Sequence, residues 1–150
     1  MQIIPTEQYF DMVRRELAEK GEAFVRVTGI SMQPLLRHLK DGVVIVQADE
    51  VHPGDIVLFD RKNGHYALHR VIAIDTDGFS MAGDNQWHVE EALPYDQIVG
   101  KVASIVKNGK KKSTNGTWIR IYSRGSRTLA VPKSKVYNFL RNVKHKLQGS

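Results

Sequence analysis

The chain of 150 residues contains no cysteine. That absence excludes a disulfide framework, a thiolate zinc site and a cysteine nucleophile together. Long apolar runs are missing as well. The longest lies around Val43-Val44-Ile45-Val46, far short of the about 20 residues that a transmembrane helix needs. The N-terminus has no apolar signal-peptide core, because Glu7, Asp11, Arg14, Arg15 and Glu16 interrupt it. The expectation is a cytoplasmic chain, or one attached to a membrane only from the side. A third absence is local. Residues 101–150 hold 13 Lys/Arg and not one Asp or Glu, whereas all 16 acidic residues fall in residues 1–100. So basic an end is drawn to anionic surfaces. It is read equally well as a solubilising extension, an anchor on anionic lipid or a docking surface for a partner protein. No aromatic-rich nucleic-acid motif accompanies it, so nucleic acid is not the favoured partner.

What is present suits one domain, with 41% apolar residues available for a core. Thr6 is a good N-cap for a helix from about Glu7 to Lys20, ended by Gly21. Phe10, Val13 and Leu17 fall on one face of it. Short strands are predicted at Phe24–Val27, Val43–Val46, Ile56–Phe59, Tyr66–Ile74, Phe79–Ala82 and Ile98–Val106. Turn signals at Asp41-Gly42, Pro53-Gly54, Asn63-Gly64, Asp75–Gly78 and Gly83–Asn85 separate them. Residues 108–112 read as a loop. Trp118–Tyr122 fits strand or helix. From Ser134 onward Val136, Phe139, Leu140, Val143 and Leu147 line one face of a basic amphipathic helix, which suits a membrane surface or the domain's own flank. The expectation is a mainly β, antiparallel fold. The N-terminal helix takes residues 1–22, the β domain 23–107, and the basic extension with its terminal helix 108–150.

Two residues stand out chemically. Ser31 lies in a turn of small residues, Thr28 to Pro34, between a strand and what Pro34 suggests is the first turn of a short helix. A serine hydroxyl there can be exposed while backbone N–H groups converge on it. It needs a neighbouring base to become a nucleophile. Of six histidines, His69 shares a strand face with Ala67, Val71 and Ala73. Apolar surroundings disfavour the imidazolium and keep such a ring neutral, able to accept a proton. The same pattern fits a core histidine bonded to a backbone carbonyl. His65 and His69 do not make a metal site without a third ligand, and no HExxH motif occurs. No cofactor is called for.

Four segments in order resemble the boxes of type I signal peptidases and their relatives in the wider superfamily that includes repressor proteases. They are Gly29-Ile30-Ser31-Met32-Gln33-Pro34-Leu35, Gly54-Asp55-Ile56-Val57, Leu68-His69-Arg70-Val71-Ile72 and Gly83-Asp84-Asn85, followed by Val99–Val102. The resemblance covers roughly residues 24–106. It implies a signal-peptidase-like β fold and a serine endopeptidase that cuts a leader or signal-type peptide after small residues. Ser31 would be the nucleophile. His69 stands where many relatives carry lysine, which implies a Ser–His pair. Gly29, Ile30 and Met32 would flank substrate and oxyanion, with the Ser31 backbone N–H as a donor. The supporting acid is Asp84 in the fourth box, or else Glu90 or Glu91 a few residues later. The partner implied is a precursor peptide or protein. Two other readings compete: a repressor-like self-cleaving peptidase, and a non-catalytic module that binds anionic lipid or nucleic acid through its basic end.

Overall fold

A computed structural model describes residues 6–114, 125, 135 and 138–144. Helix α1 (Thr6–Lys20) buries Val13 and Leu17 and stops at Gly21, whose φ of 78° suits a residue without Cβ. Among the described residues eight strands follow: β1 (Glu22–Arg26), β2 (Gly42–Val46), β3 (Ile56–Asp60), β4 (Tyr66–Ile74), β5 (Phe79–Ala82), β6 (Glu90–Leu93), β7 (Ile98–Lys107) and β8 (Lys110–Ser113). They form one antiparallel sheet in the order β1-β2-β7-β3-β4-β5-β6, with β8 added on β7. The mainly β architecture with an N-terminal helix is the one expected. Residues 138–144 are helical, and Phe139, Leu140 and Val143 are exposed. Val136, Leu147 and Trp118–Tyr122 lie outside the described residues.

Two apolar clusters divide the core between the faces of the sheet. One joins α1 to β1, β2 and the 32–36 turn through Val13, Leu17, Val25, Met32, Leu36 and Ile45. The other collects Val57, Phe59, Ala67, Val71, Phe79 and Met81 from β3, β4 and β5. Alternation along β4 sends successive side chains to opposite faces, and the register Val57↔His69 sets His69 on the second cluster's side.

Three local expectations are corrected. No helix follows Pro34: residues 31–36 are turns. The Asp41 carboxylate accepts the Arg37 N–H at 2.7 Å, the donor that a growing helix would have used, and Leu39 N–H turns to the Val27 carbonyl at 2.8 Å. The predicted loop at 108–112 is a tight hairpin about Asn108-Gly109, both at positive φ, and β8 presents its lysines to solvent. Ala73 does not continue the buried face of β4. The register slips between Val71 and Ala73, and Ala73 is exposed beyond the bulge.

Candidate active site

The Ser31 turn is pinned from beneath and from the side. Met32, Leu35 and Leu36 are at most 3% exposed and hold the turn in the core, while Ser31 stays partly accessible and Ile30 is exposed. The turn after β5 closes against it. Asn85 N–H donates to the Ser31 carbonyl at 2.7 Å, and Asn85 Nδ2 donates to the Ile30 carbonyl at 3.2 Å. Asp84 N–H reaches Met32 Sδ at 3.5 Å. Gly83 lies so near that a Cβ there would come within 2.6 Å of the Ser31 carbonyl oxygen and 2.9 Å of Ser31 Cβ. The first and fourth sequence boxes are thus one structural unit. The Gly29 N–H is taken by His38 Nδ1 at 2.7 Å, so that group is engaged within the turn itself.

β4 and β5 pair Arg70 with Ala82. That pair stands one residue from His69 on β4 and one residue from Gly83, the glycine packed on the Ser31 turn. His69 is 4% exposed. Its Nδ1 is buried without a hydrogen-bond partner and lies 3.8 Å from Glu90 Oε1. The sheet explains this proximity. Met81 pairs with Val71 on one side and with Glu90 on the other, which carries Glu90 on β6 to the face that His69 occupies.

The three candidate acids separate cleanly. Asp84 is committed elsewhere: Arg70 Nε and Nη2 grip its two oxygens at 2.7 and 2.8 Å, and Arg70 Nη1 donates to the Gly54 carbonyl at 2.9 Å. This fork ties the second, third and fourth boxes together. Glu91 is exposed. Glu90 faces His69 and is itself held by Arg61, with Nη1 on Oε2 at 2.6 Å and Nη2 on Oε1 at 2.7 Å. Arg61 follows β3 and was not among the residues singled out from sequence. Only the hairpin geometry of β3 and β4 brings it to this face.

The electrostatics follow from burial. Desolvation is the main influence on His69 and lowers its pKa to about 4; Glu90 and Asp84 pull it upward and Arg61 pushes it down. At neutral pH the ring is therefore uncharged and can accept a proton. Burial pushes the Glu90 carboxyl up, but the hydrogen bonds and charge of Arg61, with His69 and His88, more than offset it and leave Glu90 ionised below its ordinary value. The hydrogen bonds of Glu90 raise Arg61 in turn. The arrangement supplies a neutral base, a carboxylate on its Nδ1 side and a partly exposed hydroxyl on an adjoining turn. No helix among the described residues is long and apolar enough to cross a membrane.

No curated protein matches the chain. Residues 1–103 match the Peptidase S24-like family, a span that runs from the N-terminal segment through β6 into β7 and takes in the Ser31 turn, His69, the Arg70–Asp84 fork and Glu90. The chain therefore belongs to the Peptidase S24-like family of serine peptidases.

Proposed function

We propose that the protein is a serine endopeptidase in which Ser31 is the nucleophile, His69 the general base and Glu90, rather than Asp84, the acid behind the imidazole. The observation that carries this reading is the buried, unpartnered Nδ1 of His69 facing Glu90, on a strand whose register leads to the glycine packed on Ser31. Buried polar atoms without partners are costly and cluster where chemistry needs them.

The reaction asked of these groups is acyl transfer. The Ser31 oxygen bonds to the scissile carbonyl carbon as its proton passes to His69 Nε2, and the C=O electron pair moves onto oxygen. Collapse of that adduct expels the amine, which takes the proton back from His69, and water repeats the sequence on the acyl-enzyme. Glu90 stabilises the transient imidazolium through Nδ1–H. The Ser31 N–H is the backbone donor suited to the oxyanion. The substrate class that the motifs favour is an extended leader-type peptide, cut after small residues and aligned by main-chain hydrogen bonds. Self-cleavage would use the same three residues and differ only in where the peptide comes from.

An active-serine probe, with the labelled residue mapped by mass spectrometry, tests the reading. Label is expected on Ser31 in the wild type and at background in Ser31→Ala and His69→Ala. Glu90→Gln is expected to lower the labelling rate by up to about 10⁴-fold, the loss when a triad acid is replaced by its amide. Label that survives undiminished in folded His69→Ala would sink the proposed base. Fragments in the intact-mass spectrum of unlabelled wild type, absent from Ser31→Ala, would identify self-cleavage.

A further inference from the structure

Glu90 Oε1 has two claimants. Arg61 Nη2 holds it at 2.7 Å, and His69 Nδ1 stands 3.8 Å away. The other carboxylate oxygen, Oε2, is held separately by Arg61 Nη1 at 2.6 Å. A charge-assisted N–H···O bond closes at about 2.7–2.9 Å, so Oε1 stands roughly 1 Å short of bonding the imidazole.

We propose that Arg61 is a positioning residue for the Ser31–His69 reaction: it anchors Glu90 through Oε2 and yields Oε1 to His69 Nδ1 as the imidazole takes up the serine proton. This rests on the peptidase reading and extends it to how the base gains strength at the moment it is needed.

The chemistry requires some such device. A general base works best when its pKa lies near the working pH, and burial leaves the resting His69 far weaker than that. Once Nε2 has taken the proton, the ring is a cation in a nearly dry site, and its attraction for a carboxylate less than 4 Å away is strong. A carboxylate oxygen has lone pairs for both donors, so the fork limits where Oε1 can lie rather than how many bonds it accepts, and closing the gap to the imidazole loosens its bond to Arg61 Nη2. The position of Arg61 makes that exchange cheap. Its side chain is 31% exposed, so Nη2 turns to water when Oε1 leaves and no donor is stranded. The neighbouring fork is closed to such an exchange, because the Arg70 and Asp84 side chains are both 1% exposed. The charged groups acting on His69 are Glu90 from β6, Arg61 from the β3–β4 hairpin and Asp84 from the turn after β5, with His88 acting on Glu90. Among them Arg61 alone disfavours the imidazolium. It therefore both guards the neutral ring at rest and governs the release of the carboxylate.

The test is an NMR titration of the His69 ring in the full chain, with ¹³C-labelled histidine, for wild type, Arg61→Gln, Arg61→Lys, Glu90→Gln and the Arg61→Gln/Glu90→Gln double variant. Arg61→Gln is expected to raise the His69 midpoint by about one pH unit, a tenfold gain in proton affinity. Lysine keeps the charge but cannot form a fork, so Arg61→Lys is expected between wild type and Arg61→Gln; it serves as the primary variant if Arg61→Gln does not fold. Glu90→Gln is expected to lower the midpoint, and the double variant to lose most of the gain. The acid limb of Ser31 labelling against pH should move with the Arg61→Gln midpoint. A midpoint unmoved or lowered in folded Arg61→Gln overturns the proposal. So does a gain retained in full by the double variant, because it would then owe nothing to Glu90. If wild-type Ser31 does not label at all, the peptidase reading fails, while the titration still reports separately whether Arg61 and His69 compete for Glu90.

Discussion

His69 and Arg70 are consecutive residues on β4, both buried, and they point to opposite faces of the sheet. Each is served by an arginine–carboxylate fork, and the two forks are built to different ends. Arg70 and Asp84 are sealed from water at 1% exposure each, and Arg70 Nη1 also donates to the Gly54 carbonyl. Arg61 and Glu90 keep 31% and 20% of their side-chain surface accessible and leave a histidine nitrogen waiting beside them. A sealed fork has only one arrangement that satisfies all its atoms, so it fixes geometry. A fork with one side open to solvent has two, so it can change during a reaction. Residues next to each other in sequence thus divide the third box, one holding the boxes together and the other being the base proposed above.

Breaking the sealed fork should cost the most stability. Arg70→Ala leaves the Asp84 carboxylate buried without its partner, and losses of about 3–5 kcal/mol are typical for such a step. Urea unfolding of the variant measures it; a loss below 1 kcal/mol would mean that water reaches Asp84 easily and that the two forks are not so different. Acid should have the next largest effect, and it acts through His69. The unfolded imidazole takes a proton near 6.5 and the folded one only near 4. The unfolded state therefore binds the extra proton throughout that interval, and stability falls as the pH is lowered across it. The full interval is worth about 3 kcal/mol. Unfolding curves at stepped pH should show this slope in the wild type and lack it in His69→Asn. Asp41, Asp60 and Glu90 are all held below the ordinary carboxylate range, so their losses set in only below about pH 5, and the slope above that pH is the one to compare with His69→Asn. The smallest effect is expected for Glu90→Gln on stability, about 1 kcal/mol or less, because a half-open pair exchanges protein contacts for water. A large loss there would turn the open fork into a second structural clamp.

The strands that carry the site were legible because their residues satisfy several rules at once. Tyr66–Ile74 alternates, follows Asn63-Gly64 and is rich in β-branched and aromatic residues, and β4 has those bounds. Phe79–Ala82 stands between two turn signals and was equally clear. Glu90–Leu93 was missed. Glu-Glu-Ala-Leu carries no strand propensity, and it becomes a strand only because β5 offers it an edge. Lys110–Ser113 was missed for the same reason on β7. The serine and the histidine could be picked out from local pattern together with the order of the boxes. The choice among Asp84, Glu90 and Glu91 could not, because it depends on a pairing between Met81 and Glu90 that no local signal encodes. Arg61 was out of reach entirely, since its partner is a carboxylate 29 positions along the chain.

The contact between Gly83 and the Ser31 turn has a consequence for kinship. A Cβ at position 83 would collide with the Ser31 carbonyl oxygen and Cβ as well as with the movable tip of Gln86, so the serine turn holds its place only beside glycine. A lineage that kept its hydrolytic chemistry has one admissible letter there. A lineage that abandoned it, keeping the sheet for recognition alone, is released from that constraint. On the peptidase reading proposed above, position 83 is therefore expected to stay glycine wherever the turn carries a working nucleophile.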